Sequence, residues 1–142
     1  MLFRSHLAHG VVAAPEKLSL AERLLVIHQS LAEVIAAWRP DEAAIEETFA
    51  TANGSSTLKL GHARAAAMLA PAAVGISVAE YAAKVVKKAV VGTGSADKDQ
   101  VGFMVARLLP AAGPTTSDAA DALAVAICHA HARRVRAIGA AA

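Results

Sequence analysis

The sequence predicts an α/β domain, a mixed sheet flanked by helices, and three observations point there. Segments whose apolar residues recur every three or four positions alternate with short β-like runs. The 142 residues suffice for one hydrophobic core. A share of 56% hydrophobic against 18% charged residues excludes a disordered tail.

The elements follow in order. Ser19 and Glu22 have the spacing of a capping box, in which the hydroxyl accepts from the third helical N–H and the carboxylate reaches back to the cap. A helix therefore begins there, carries Leu24, Ile27, Leu31, Val34, Ile35 and Trp38 on one stripe, and stops before Pro40. Residues 43–49, bounded by Pro40-Asp41 and the polar run 51–56, read as a buried strand. Residues 57–73 return to helix, Ala-rich, with Pro71 near the end, and residues 77–81 suit a second short strand. Residues 82–91 fit either a helical turn or a strand and run into Gly92-Thr93-Gly94-Ser95, a flexible loop whose glycines permit backbone conformations other residues avoid. Residues 97–109 form a helix with Val101, Met104, Val105 and Leu108 inward, stopped by Pro110, and residues 117–136 form the last one. Two short strands are too few to cover four amphipathic helices. Either residues 7–14 add a third strand or part of the domain is absent from this chain.

Several classes are excluded. The single cysteine, Cys128, cannot form an intramolecular disulfide and leaves no Cys-based zinc cluster, which fits a reducing compartment. The longest apolar stretch, residues 65–79, is broken by Pro71 and Gly75 and falls short of the ~20 residues a membrane span requires. The opening apolar run is too short for a secretory signal, so a cytoplasmic location and no membrane partner are expected. Net charge is only +2, with six His, so a locally basic face is possible but not dictated by the total.

Candidate chemistry lies in three places. Asp118 and Asp121, three apart at the start of the last helix, project from one face; spacing alone favours helix capping, and a hard cation is the functional alternative. Glu46 lies in a strand with Ile45 and Glu47 on the opposite side, so its carboxylate requires a partner, either a Lys or Arg or a bound Mg²⁺ or Mn²⁺. If the three converge, mutual repulsion favours a divalent cation. Lys84, Lys87, Lys88 and Lys98 flank the glycine loop as phosphate tracking would require, and Lys59 and Arg64 extend the set; a solvated face is the ordinary alternative. His129 and His131, two apart, face different directions and make no zinc site. The glycine loop lacks the spacing and Lys-Ser/Thr ending of a P-loop.

Several strings together resemble the RuvC family of Holliday junction resolvases, nucleases with the ribonuclease H-like fold. Ala44-Ile45-Glu46-Glu47-Thr48-Phe49 is similar to its acidic strand, and Thr57-Leu58-Lys59-Leu60-Gly61-His62-Ala63-Arg64 to the helix that follows. Glu80-Tyr81-Ala82-Ala83, Val90-Val91-Gly92-Thr93-Gly94-Ser95-Ala96-Asp97-Lys98 and Asp118-Ala119-Ala120-Asp121-Ala122-Leu123-Ala124 complete the likeness, which runs from about Ser19 to His131. The resemblance implies a homodimer that binds a four-way DNA junction and makes paired Mg²⁺-dependent nicks (Mn²⁺ being possible), with the branch-migration proteins RuvA and RuvB as partners. It implies Glu46, Asp118 and Asp121 as catalytic metal ligands, Lys87 and Lys98 as DNA contacts, and Phe49 as an aromatic approaching the junction bases. Family members open with a strand carrying Asp-Pro-Gly, whose Asp is the first metal ligand. Here the first Asp is Asp41 and no Asp-Pro-Gly occurs. The expectation is a single incomplete nuclease domain over residues 1–142, lacking its first strands, with 1–5 unrelated to the family, 6–15 the tail of its third strand and 137–142 a tail. Impaired cleavage follows, and the alternative is a junction-binding or interaction module without catalysis. A ribonuclease H-like nuclease acting on RNA is a third reading.

Overall fold

A computed structural model describes residues 5–47 and 52–140, apart from the side chains of 137 and 138. Two compact units make up the chain: Val12–Glu80, and Tyr81–Ala142 together with Met1–Val11.

The first unit holds α1 (Leu20–Trp38), β1 (Ala43–Glu46), α2 (Gly54–Ala72) and all but the last residue of β2 (Val78–Tyr81). The expected capping box opens α1: the Glu22 N–H donates to Ser19 Oγ at 3.3 Å, and the Ser19 N–H to Glu22 Oε2 at 2.8 Å. The helix ends at Arg39, left-handed at φ 47°, ahead of Pro40, which disfavours helical geometry in the residue before it. Leu24, Ile27, Leu31 and Ile35 of the expected stripe are half-buried, on a helix that packs against α2, whereas Val34 and Trp38 are exposed. The helix α2 starts three residues before the expected Thr57, because Asn53 Oδ1 accepts from Ser55 and Ser56 N–H at 3.1 and 3.3 Å. At its far end Gly75 is left-handed (φ 79°) and the Ile76 N–H bonds the Pro71 carbonyl, turning the chain into β2.

β1 and β2 form a two-stranded parallel sheet, extended by an Ala43 N–H bond to the Ser77 carbonyl at 3.0 Å. The first strand is shorter than expected, ending at Glu46, and Phe49 lies outside the described residues. Residues 7–14 carry no strand, so the third-strand alternative is not realised there.

The second unit holds α3 (Ala83–Val91), α4 (Lys98–Leu108), a 3₁₀ turn (Pro110–Ala112) and α5 (Ser117–Ala140). Residues 82–91, ambiguous in sequence, are helical and bury Val86 and Val90, one turn apart. Gly92 closes α3 at φ 97°, a left-handed position that suits glycine. The loop after it is a hydrogen-bonded turn, with the Ser95 N–H on Thr93 Oγ1 at 3.3 Å. A second capping box, Asp97 with Gln100, starts α4. The helix α5 packs on both α3 and α4 through Ala119, Ala120, Leu123, Ala124, Val125, Ile127 and Cys128, all buried. Burial pushes the Cys128 thiol up from its ordinary pKa, as expected of a packing cysteine. Among the described residues no helix is long and apolar enough to cross a membrane.

The α1 cap yields a pH prediction. Hydrogen bonds from the Ser19 hydroxyl and backbone N–H hold the Glu22 carboxyl below its ordinary pKa. Its contribution is therefore complete above that ordinary value and is lost as the pH falls through the lowered one. Amide exchange in the first turn of α1 should accelerate at acid pH relative to intrinsic rates, and Glu22→Ala should remove most of that extra acceleration.

Candidate functional site

In the second unit, Asp118 and Asp121 stand on the first turn of α5. The cap of this helix is Thr116 rather than either aspartate: the Ala119 N–H donates to Thr116 Oγ1 at 3.3 Å and the Ala120 N–H to the Thr116 carbonyl at 2.9 Å. Asp118 is exposed, and its side chain makes no hydrogen bond or ion pair with another described residue. Its position still complements the positive end of the helix dipole. Asp121 is 40% exposed and lies 3.4 Å from Lys98 Nζ at the start of α4. One of the expected DNA-contacting lysines is thus tied to one of the expected metal ligands.

Lys84, Lys87 and Lys88 share α3, where spacings of three and four put them on one side, with Lys87 half-buried and the other two exposed. The glycine loop presses on this helix: a Cβ on Gly94 would meet the Lys84 carbonyl oxygen at 3.3 Å. A side chain there would be tighter than ordinary van der Waals contact, so the close approach favours glycine. Lys84 and the start of α4 are thereby tied to one turn.

In the first unit, Glu46 ends β1 and is exposed, at the rim of an open cleft of about 460 Å³ lined also by Ile45, Glu47, Leu60 and Arg64. Arg64, on α2 and only 20% exposed, donates from Nε to the Glu46 carbonyl oxygen at 3.0 Å. The same guanidinium forms an ion pair with the Glu80 carboxylate on β2. Lys59, on the same helix, is exposed. Within either unit, among the described residues, no three His, Cys, Asp or Glu side chains gather as a metal cluster.

Two contacts were not anticipated from sequence. One is the Arg64 bridge between β1 and Glu80. Its signal was the parallel pairing of the strands, which sets Glu46 and Glu80 on neighbouring strands under one helix. The other joins the Tyr81 hydroxyl to His129 Nδ1 at 2.8 Å, with the rings edge to face. It gives His129 a packing and hydrogen-bonding role.

The family model described as "Crossover junction endodeoxyribonuclease RuvC" matches residues 4–129. The chain belongs to the RuvC family. A RuvC from Caulobacter sp. (strain K31) is 64% identical over 129 residues, covering 91% of this chain and 76% of the relative. One from Maricaulis maris is 60% identical over 138 residues, covering 97% and 82%. Among solved structures, Thermus thermophilus RuvC in complex with a Holliday junction substrate superposes with a TM-score of 0.84 at 35% identity, covering 91% of this chain and 79% of that one. A further structure of Thermus thermophilus RuvC gives 0.80 at 34%. RuvC membership brings the ribonuclease H-like α/β fold and a phosphodiester-hydrolysing nuclease class.

Proposed function

We propose that this chain is a Holliday junction endonuclease whose metal-binding carboxylates are Glu46, Asp118 and Asp121. The observation that carries the reading is the acidic pair on the first turn of α5: two carboxylates one turn apart, accessible, with a lysine beside them. Their donor set is all hard oxygen, which fits Mg²⁺ or Mn²⁺. The resemblance of residues 44–49 to the family's acidic strand supports bringing Glu46 to the same ion.

When bound, such cations lower the pKa of water and stabilise the charge developing on a leaving oxygen. The chain's own groups hold and orient. Asp118 and Asp121 supply negative charge from a rigid helix, and Lys98 keeps Asp121 from turning away. Lys84, Lys87 and Lys88 with Lys59 provide cationic contacts for phosphates, and Phe49 an aromatic face for junction bases. Hydrolysis adds water across a P–O3′ bond: water oxygen bonds phosphorus, the P–O3′ bond breaks, and the 3′ oxygen takes a proton. Sealable 5′-phosphate and 3′-hydroxyl ends remain. Paired nicks follow from a homodimer, with RuvA and RuvB as functional partners and a cytoplasmic location.

Of the four acidic ligands that the family resemblance implies, three are matched by residues of this sequence. Misplacement of a bound cation by about 1 Å is expected to slow cleavage on the order of a hundredfold. That departure also favours the second reading, a junction-binding module without chemistry. Labelled four-way and duplex DNA, each with Mg²⁺ or EDTA, separate the readings. The expected result is preferential four-way binding in EDTA and slow nicking in Mg²⁺. Binding without nicking under any divalent cation supports the module, and preferential RNA cleavage a ribonuclease.

A further inference from the structure

We infer that Arg64 is a positioning residue for Glu46, held in place by Glu80, rather than a phosphate contact. The inference rests on the reading of Glu46 as a metal ligand. Glu46 is the last residue of a four-residue strand, and its backbone carbonyl receives the Arg64 Nε–H at 3.0 Å. A charge-assisted bond of this kind fixes the peptide plane that follows the Cα of Glu46, and with it the direction in which the side chain leaves the strand. Arg64 is anchored at its other end by the Glu80 carboxylate of β2. The guanidinium thus spans the two strands as a brace, mounted on α2.

The planar fork makes this possible. A guanidinium donates in two fixed directions at once, whereas a lysine ammonium offers a point charge on a flexible stem. Nε and Nη2 of Arg64 both end on protein groups, and the side chain is only 20% exposed, so little of it is presented to a DNA backbone. Exposed Lys59, five residues earlier on the same helix, is the better placed cation for that task. Groups that orient a metal ligand without touching the metal typically govern affinity by 10–100-fold, so an effect of about tenfold on cation affinity is expected when the brace is removed.

The test is calorimetric titration of the full chain with Mn²⁺, comparing native protein with Arg64→Ala, Arg64→Lys and Glu46→Gln, alongside four-way junction affinity measured in EDTA over a range of salt. Arg64→Ala is expected to weaken Mn²⁺ binding about tenfold, Arg64→Lys to restore part of the loss, and both to leave junction affinity and its salt slope within about twofold of native. Unchanged Mn²⁺ affinity in Arg64→Ala overturns the inference, as does loss of junction affinity with a salt slope reduced by about one, which marks a phosphate contact. If Arg64→Ala fails to fold, as judged by its circular dichroism, Arg64→Lys decides on the same two readouts. Glu46→Gln isolates the underlying reading: if it binds Mn²⁺ as the native chain does, Glu46 is not a ligand. If it binds weakly while Arg64→Ala binds normally, only the brace fails.

Discussion

Asp118→Asn and Asp121→Asn are each expected to lower junction nicking at least about a hundredfold, because a bound cation contributes several kcal/mol to the transition state and each ~1.4 kcal/mol is tenfold in rate. Junction affinity in EDTA should stay within about twofold of native, since neither carboxylate favours an approaching phosphate. Stability should change little. The Asp118 carboxylate makes no hydrogen bond or ion pair with another described residue, and the Asp121–Lys98 pair is exposed enough that its loss costs roughly 0–1 kcal/mol. The two substitutions differ in one respect. Asp121→Asn releases the Lys98 ammonium, so any gain in junction affinity is expected there and not in Asp118→Asn. Single-turnover nicking and gel shifts on the same samples measure both quantities, and unchanged nicking in either variant rejects the assignment of that residue.

Ala124→Leu should be the most damaging of the conservative core changes on α5. Ala124 is 1% exposed on the helix face that packs on α3 and α4, flanked by buried Ala119, Ala120 and Val125. Small side chains let these helices approach closely, and inserting a larger one forces backbone shifts or strained rotamers at a cost of about 1–3 kcal/mol. Ala126→Leu on the same helix is exposed and should shift stability by less than about 0.5 kcal/mol. Urea unfolding followed by circular dichroism compares them, and equal midpoints would mean that the close packing of α5 is not a source of stability.

Much of the fold was legible because local signals agreed with packing. The Ser19–Glu22 box, Pro40 and Pro110 each state one boundary, and the structure follows them; the apolar periods hold in part, with Val101 and Val105 of α4 buried but Leu108 of α4 and Val34 and Trp38 of α1 exposed. Residues 82–91 were not legible, since Val85, Val86, Val90 and Val91 suit a strand as well as a helix. Burial of Val86 and Val90 one turn apart decides for helix, and that depends on packing with α5. Asn53 was hidden in a polar run that reads as loop, although asparagine is a strong helix cap.

For the candidate site, residue type and order marked the carboxylates, while their partners depended on tertiary contacts. Spacing alone favours Asp118 and Asp121 as caps, and the Thr116 hydroxyl taking that role leaves them for another. Arg64 read as one more cation among several. Its bonds to Glu46 and Glu80, 18 and 16 residues away in sequence, exist only once the strands pair.

The central claim is that carboxylates from β1 and from α5 serve one divalent ion. Nuclear magnetic resonance of the isotopically labelled full chain, titrated with substoichiometric Mn²⁺, tests it directly through paramagnetic broadening. The account predicts that the amides of Glu46, Asp118 and Asp121 all lose intensity at the same low Mn²⁺ ratio, and that Asp118→Asn protects all three together. Broadening confined to the start of α5, with Glu46 unaffected, would contradict it.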